Sequence, residues 1–221
     1  MPFGFGKKSK EPEAAPAVDP LVSATAAARE SGGVAFDGLT EEWRLVGVMH
    51  IDGRLSDALN RREAIAIGDV TWQPIDGSAG FAPVPGLKSV DPYDLIVVLA
   101  GEETLPPQTD EEKAAHKIHK VPYDVALEAP PFKVFGTVYL YPGSEPDRLL
   151  DRATEMFVAV TDAQAYLGEQ RIGEPEVEVV LVNRFYLRGI KQIDKRTRVS
   201  PAPLPGLPLG GVSYSDHSRS Q

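Results

Sequence analysis

The sequence predicts an α+β chain, rich in strands. Two tandemly duplicated small sheet units, each with one short helix, are expected to pack together between disordered N- and C-terminal tails. Three observations predict this. Four short blocks recur in the same order in the two halves of the 221 residues. The apolar runs in those blocks are β-branched or aromatic at many positions, as strands prefer. Both ends are broken by prolines, which fit neither a helix interior nor a central strand.

The elements follow in chain order. Residues 1–40 read as a flexible tail, because Pro12, Pro16 and Pro20 punctuate an Ala/Glu/Lys stretch. A short helix is expected there from Leu21 to Glu30, stopped by Ser31-Gly32-Gly33. Residues 41–105 form the first unit and 131–194 the second. Between them, 106–130 reads as a linker bracketed by Pro106-Pro107 and Pro130-Pro131, with its own helix signal from Asp110 to Lys120. The last stretch, 195–221, is a second flexible tail that includes Pro201, Pro203, Pro205 and Pro208.

The repeat is read block by block. Arg44 to Ile51 matches Lys133 to Leu140, with Gly47 and Gly136 in the fourth place. A turn leads to Arg54-Leu55-Ser56-Asp57 in one half and Arg148-Leu149-Leu150-Asp151 in the other. The next strands end alike, Ile65 to Val70 against Val158 to Ala163. Last come the apolar runs Leu95–Leu99 and Val177–Leu181. Two copies are too few for a solenoid.

The physics of one unit follows from these blocks. The first run is a strand. A helix of two to three turns comes next, with Leu55, Ala58 and Leu59 on one stripe. In the second copy Ser144 is expected to cap it, ahead of Glu145, Pro146 and Asp147. In the second strand Ile65 and Ile67 share a face, as do Val158 and Val160. Phe185 to Ile193 is one further candidate strand. Units of about 60 residues are marginal alone, so the copies are expected to pack on each other.

The pattern Val-x-Gly, then Arg-Leu-x-Asp-x-Leu-Asn, then Val-Leu-Val-Asn-Arg resembles a small bacterial domain family without assigned activity. Arg54 to Asn60 carries the resemblance in the first copy and Val179 to Arg184 in the second. The second copy has Ala153-Thr154 for Leu-Asn, and the first has Ala100-Gly101 for Val-Asn. The resemblance implies a fold unit and no chemistry.

Composition narrows the function. There is no cysteine, which excludes disulfides, thiolate metal sites and a cysteine nucleophile. With no apolar stretch of a secretory signal at the start, the cytoplasm is the expected compartment. The net charge is −9, with −6 on 41–105 and −3 on 131–194. Nucleic-acid affinity comes largely from Lys and Arg on phosphates, so no nucleic-acid partner is expected. No cofactor is expected either, since no P-loop, dinucleotide fingerprint, serine elbow or zinc-protease motif occurs.

Several residues are candidates for a site. Arg54 with Asp57, and Arg148 with Asp151, sit three apart, a spacing that lets two helix residues meet. Either arginine could bind a partner carboxylate or phosphate. Asp69 and Asp162 end equivalent strands, where a carboxylate serves either proton transfer or a turn. His116 and His119 have helical metal-ligand spacing, with His50, Asp110, Glu111 and Glu112 as possible companions, but nothing in the spacing requires a metal. Phe3 and Phe5, followed by Lys7, Lys8 and Lys10, suit a docking peptide for a protein or an anionic membrane surface. The leading expectation is a non-catalytic interaction or scaffold protein with a protein partner. The alternative is a sensing module that binds an anionic small molecule between the units.

Overall fold

The computed structural model describes residues 19–100, 120–151 and 155–194. The chain divides at residue 108 into two compact units.

The first unit begins with a helix, α1 (Pro20–Ser31). Asp19 caps it by accepting the Leu21 N–H at 2.8 Å, and Pro20 occupies the first turn, where its missing N–H costs nothing. Gly32 ends it in the left-handed region, at φ 72°. Two strands follow as a hairpin, β1 (Val34–Leu39) and β2 (Trp43–Met49). Thr40 Oγ1 holds the turn by accepting the Trp43 N–H at 3.0 Å. The short helix α2 (Leu55–Asn60) buries Leu55, Ala58 and Leu59, the stripe that the spacing predicts. The long strand β3 (Ile65–Pro74) returns antiparallel to β2, and two-residue strands β4 (Ala82–Pro83) and β5 (Ser89–Val90) both pair with it. A 3-10 turn at Pro92–Asp94 leads to β6 (Val97–Ala100), which pairs with β1 and is fully buried. The main strand order is β6-β1-β2-β3-β4.

The second unit starts with a hairpin of β7 (Val121–Ala129) and β8 (Phe132–Leu140). Its turn contains a cis bond between Pro130 and Pro131. A 3-10 turn at Pro146–Leu150 connects to β9 (Phe157–Leu167). Then come β10 (Gln170–Asn183), on β9, and β11 (Gly189–Gln192), on β7. The order β11-β7-β8-β9-β10 threads the strands as the first unit does.

One backbone device appears in both units. The β2–β3 ladder slips by a residue between Val46 and Val48, and the β8–β9 ladder between Phe135 and Thr137. Each slip is a bulge, an extra residue on one strand that bends it. The extra turn is taken by Asp69 at φ 50° and Asp162 at φ 47°. Aspartate enters this left-handed region more readily than most side chains. Gly47 and Gly136 face the bulges. A Cβ on Gly47 would lie 2.9 Å from the Gly68 carbonyl oxygen, and one on Gly136 2.7 Å from that of Thr161. Only glycine admits so close an approach.

The apolar core follows the strand alternation. Phe36, Met49, Leu59 and Leu95 are fully buried in the first unit, and Phe132, Leu127, Met156 and Phe157 in the second. Ile67 and Val160 occupy equivalent positions and both are buried, as their alternation predicts.

Several expectations are corrected. Residues 20–39 are not tail: α1 and β1 are formed there, because Ala24, Ala28, Phe36 and Leu39 bury enough apolar surface to order them. Residues 121–129 are not linker but β7, which buries Val125, Leu127 and Ala129. The helix expected at Asp110–Lys120 lies outside the described residues, except Lys120. So do residues 1–18 and 195–221.

The second block of the repeat is not reproduced as one helix in each unit. Arg54 precedes an α-helix, whereas Arg148 lies inside a 3-10 turn that ends at Leu150. Pro146 opens that turn, its N-cap is Glu145, and no side chain caps it, so Ser144 does not fill the expected role. The fourth block is also misaligned. Leu95–Leu99 leads into β6 beside β1, while Val177–Leu181 lies in β10 beside β9. By sheet position β6 corresponds to β11, and β10 to β4.

Candidate functional site

The bulge in β3 leaves Asp69 exposed at the rim of a cavity of about 440 Å³ in the first unit. Three segments wall it. Pro20, Ser23 and Ala24 come from the first turns of α1, and Thr71 stands two residues beyond Asp69 on β3. Gly80 and Phe81 come from the loop that leads into β4. That loop is held by Asp76, whose Oδ1 accepts the Ser78 N–H at 2.9 Å. The same hydrogen bond keeps the Asp76 carboxyl below the usual aspartate range.

Beside the cavity lies a buried ion pair. Asp37 is 1% exposed on β1. Arg44 Nε donates to its Oδ1 at 2.9 Å, and Nη2 donates to Oδ2. The arrangement is bidentate, the strong form of the pair. Burial pushes the Asp37 carboxyl above its ordinary range, and Arg44 only partly offsets this. The guanidinium carbon of Arg44 also lies 5.6 Å from the centre of the Phe81 ring. The ion pair therefore helps fix one wall of the cavity.

The second unit carries a different polar centre. Arg184 is 6% exposed at the end of β10. Its Nε donates to the Leu149 carbonyl at 2.8 Å, Nη2 to that of Arg148 at 2.8 Å, and Nη1 to that of Glu155 at 3.4 Å. Burial draws the guanidinium below its ordinary value, against the field of Glu155 and Asp151. Asn183, fully buried, turns the chain by accepting the Phe185 N–H on Oδ1 at 3.0 Å. The Asn-Arg of the family-like pattern thus ties the 3-10 turn to β10.

The expected site residues do not converge. Arg54 is half-buried at the start of α2, Asp57 is exposed, and no ion pair joins them. Arg148 and Asp151 are both exposed. Arg148 contributes its carbonyl to Arg184, while its own side chain reaches solvent. Asp69 and Asp162 do not end strands but lie within β3 and β9, since the bulges let each strand continue. Phe3, Phe5, His116 and His119 lie outside the described residues, and His50 is exposed at the end of β2. Among the described residues no three His, Asp or Glu side chains are placed to hold a metal ion.

Asp37, Arg44 and Phe81 were not singled out by the sequence reading. The available signal was an aspartate interrupting the apolar run Val34 to Leu39. The second unit also exposes large apolar side chains at the adjoining ends of β7 and β8. Tyr139 is 50% exposed, Tyr141 56% and Val121 36%. Lys120 stands over the Tyr141 ring, its Nζ 5.3 Å from the centre. Among the described residues no helix is long and apolar enough to cross a membrane. No protein-family model, curated protein or solved structure matches this chain.

Proposed function

We propose that the chain is a non-catalytic interaction protein built from two copies of one sheet unit, of the small bacterial domain family it resembles. The common strand order, the paired bulges and the glycines opposite them support descent of the two units from a single duplicated unit.

The exposed pair Tyr139 and Tyr141, beside Lys120, carries the interaction reading. Exposed apolar surface costs solvation unless something covers it, and contiguous patches of it mark interaction sites. Tyrosine is enriched where proteins meet, because its ring buries area while its hydroxyl keeps a hydrogen bond. Lys120 over the ring adds a cation at the rim, suited to a partner with acidic side chains. The partner is therefore a protein surface that offers an apolar pocket ringed by carboxylates.

The test is capture of partners from the native host by the full chain and by a Tyr139→Ser/Tyr141→Ser variant. The variant should keep its thermal stability, since both rings are largely in water, and lose the specifically captured protein. Unchanged capture by a folded variant would remove the pair as the docking site.

A further inference from the structure

We propose that the cavity beside Asp69 binds a small organic cation, an amine or alkylammonium group carried on an apolar body. Asp69 is its counter-ion and the Phe81 ring its wall. This goes beyond the docking surface, which lies in the other unit and shares no residue with the cavity.

Three observations carry the proposal. The first is the state of Asp69. Asp69 is exposed at the cavity, and among the described residues its side chain makes no hydrogen bond or ion pair. Its backbone is fixed by the bulge at φ 50°, within a strand paired on both sides. The backbone that carries the charge is therefore fixed before any ligand arrives, and only the side chain remains to be ordered on binding.

The second is the sign of the surroundings. Arg44 is the cation beside Phe81, and it is committed to Asp37 through two hydrogen bonds. Asp19 spends its carboxylate on the first turn of α1. An anion entering the cavity would meet Asp69 with no free positive charge beside it among the described residues. A cation would meet a carboxylate and an aromatic ring.

The third is size and lining. A volume of about 440 Å³ falls within the range of small-molecule sites. Pro20 and Ala24 offer apolar contact, and Phe81 adds an aromatic ring that already has one cation, Arg44, 5.6 Å from its centre. The ligand class is thus opposite in charge to the anion that Arg54 or Arg148 would have held.

The experiment is an amide-resolved NMR titration of the full chain with benzylamine, with benzyl alcohol and benzoate as its neutral and anionic counterparts. Benzylamine should produce saturable shifts at residues 21–24, 69–71 and 80–81, and the two counterparts should not. Asp69→Asn should weaken benzylamine at least about tenfold, or roughly 1.4 kcal/mol. Asn accepts the same left-handed backbone, so the bulge should survive. Asp162→Asn, at the matching bulge of the other unit, should bind as wild type does. Equal shifts with all three probes, or wild-type affinity in Asp69→Asn, overturn the proposal. Should the Asn variant fail to fold, Phe81→Leu decides: weaker amine binding supports the site, and unchanged binding overturns it.

Discussion

The first unit buries Asp37 against Arg44. Aligned through Gly47 and Gly136, the second unit has Ala126 and Lys133 in those two places. In turn, Asp124 and Thr137 of the second unit are joined by a hydrogen bond of 2.7 Å, where the first has Ala35 and Val48. The backbone bends in the same way in both units, at the same glycine and the same left-handed aspartate. The difference teaches which features this fold requires. Close backbone approach admits one solution at the bulge, whereas a polar pair works at more than one position along a ladder provided both partners are present.

The sharpest way to break the comparison is to remove Arg44. Arg44→Leu leaves Asp37 buried without its counter-charge and should cost about 3–5 kcal/mol in urea denaturation. The double change Asp37→Ala/Arg44→Lys installs the residues that the second unit has in those two places and should recover most of that loss. If it recovers nothing, the two ladders are not interchangeable and the alignment loses its meaning. The pH dependence of the same site has a definite sign. Because burial raises the folded-state pKa of Asp37, the folded form takes up its proton at higher pH than the unfolded form does. The contribution of Asp37 is therefore fully favourable below the unfolded-state pKa and is lost as pH rises through the folded one. Wild type should gain stability relative to Asp37→Asn as pH falls from neutral toward the ordinary aspartate range.

Arg184 probes the other side of the comparison. The first unit fills its β2–β3 connection with Leu55, Ala58 and Leu59, while the second ties its connection down with one cation on three carbonyls. Arg184→Leu leaves those carbonyls without their donor and should cost about 2–4 kcal/mol, with faster hydrogen exchange around Leu149. A loss under about 1 kcal/mol would mean that water replaces the guanidinium and that the turn needs no clamp.

The smallest effects belong to the repeated arginines. Arg54→Ala and Arg148→Ala should each cost less than about 1 kcal/mol, since Arg148 is exposed and Arg54, half-buried, is not ion-paired with Asp57. Losses matching that of Arg184→Leu would show that these side chains, and not only the Arg148 carbonyl, anchor the connections.

These contrasts also explain what was legible in the sequence. Gly47, Gly136, Asp69 and Asp162 could be matched by eye because the bulge restricts residue type, and restriction leaves a trace. Strands β1 and β7 were missed because Asp37 interrupts the apolar run of one and Pro122 that of the other. Their second neighbours in the sheet, β6 beside β1 and β11 beside β7, are distant in sequence. The runs in β6 and β10 were equated on composition, but composition does not record which strand lies alongside. The candidate site was the least legible part. Its walls come from α1, β3 and the loop at Phe81, which meet only after folding, and no local pattern marks such a meeting.

The bulges carry one further consequence, for insertions and deletions. Along β3 the buried positions are Ile65, Ile67 and Val70, and along β9 Phe157, Val160, Ala163 and Ala165. In each strand a step of three falls at the left-handed aspartate, between Ile67 and Val70 and between Val160 and Ala163. That residue acts as a phase shifter: it lets one strand present its apolar side chains inward on both sides of a bend. Deleting Asp69 or Asp162 would shift the strand beyond it by one residue and turn that half of the strand inside out. Two sites that look like ordinary surface aspartates are therefore places where the length of the chain is fixed to the residue.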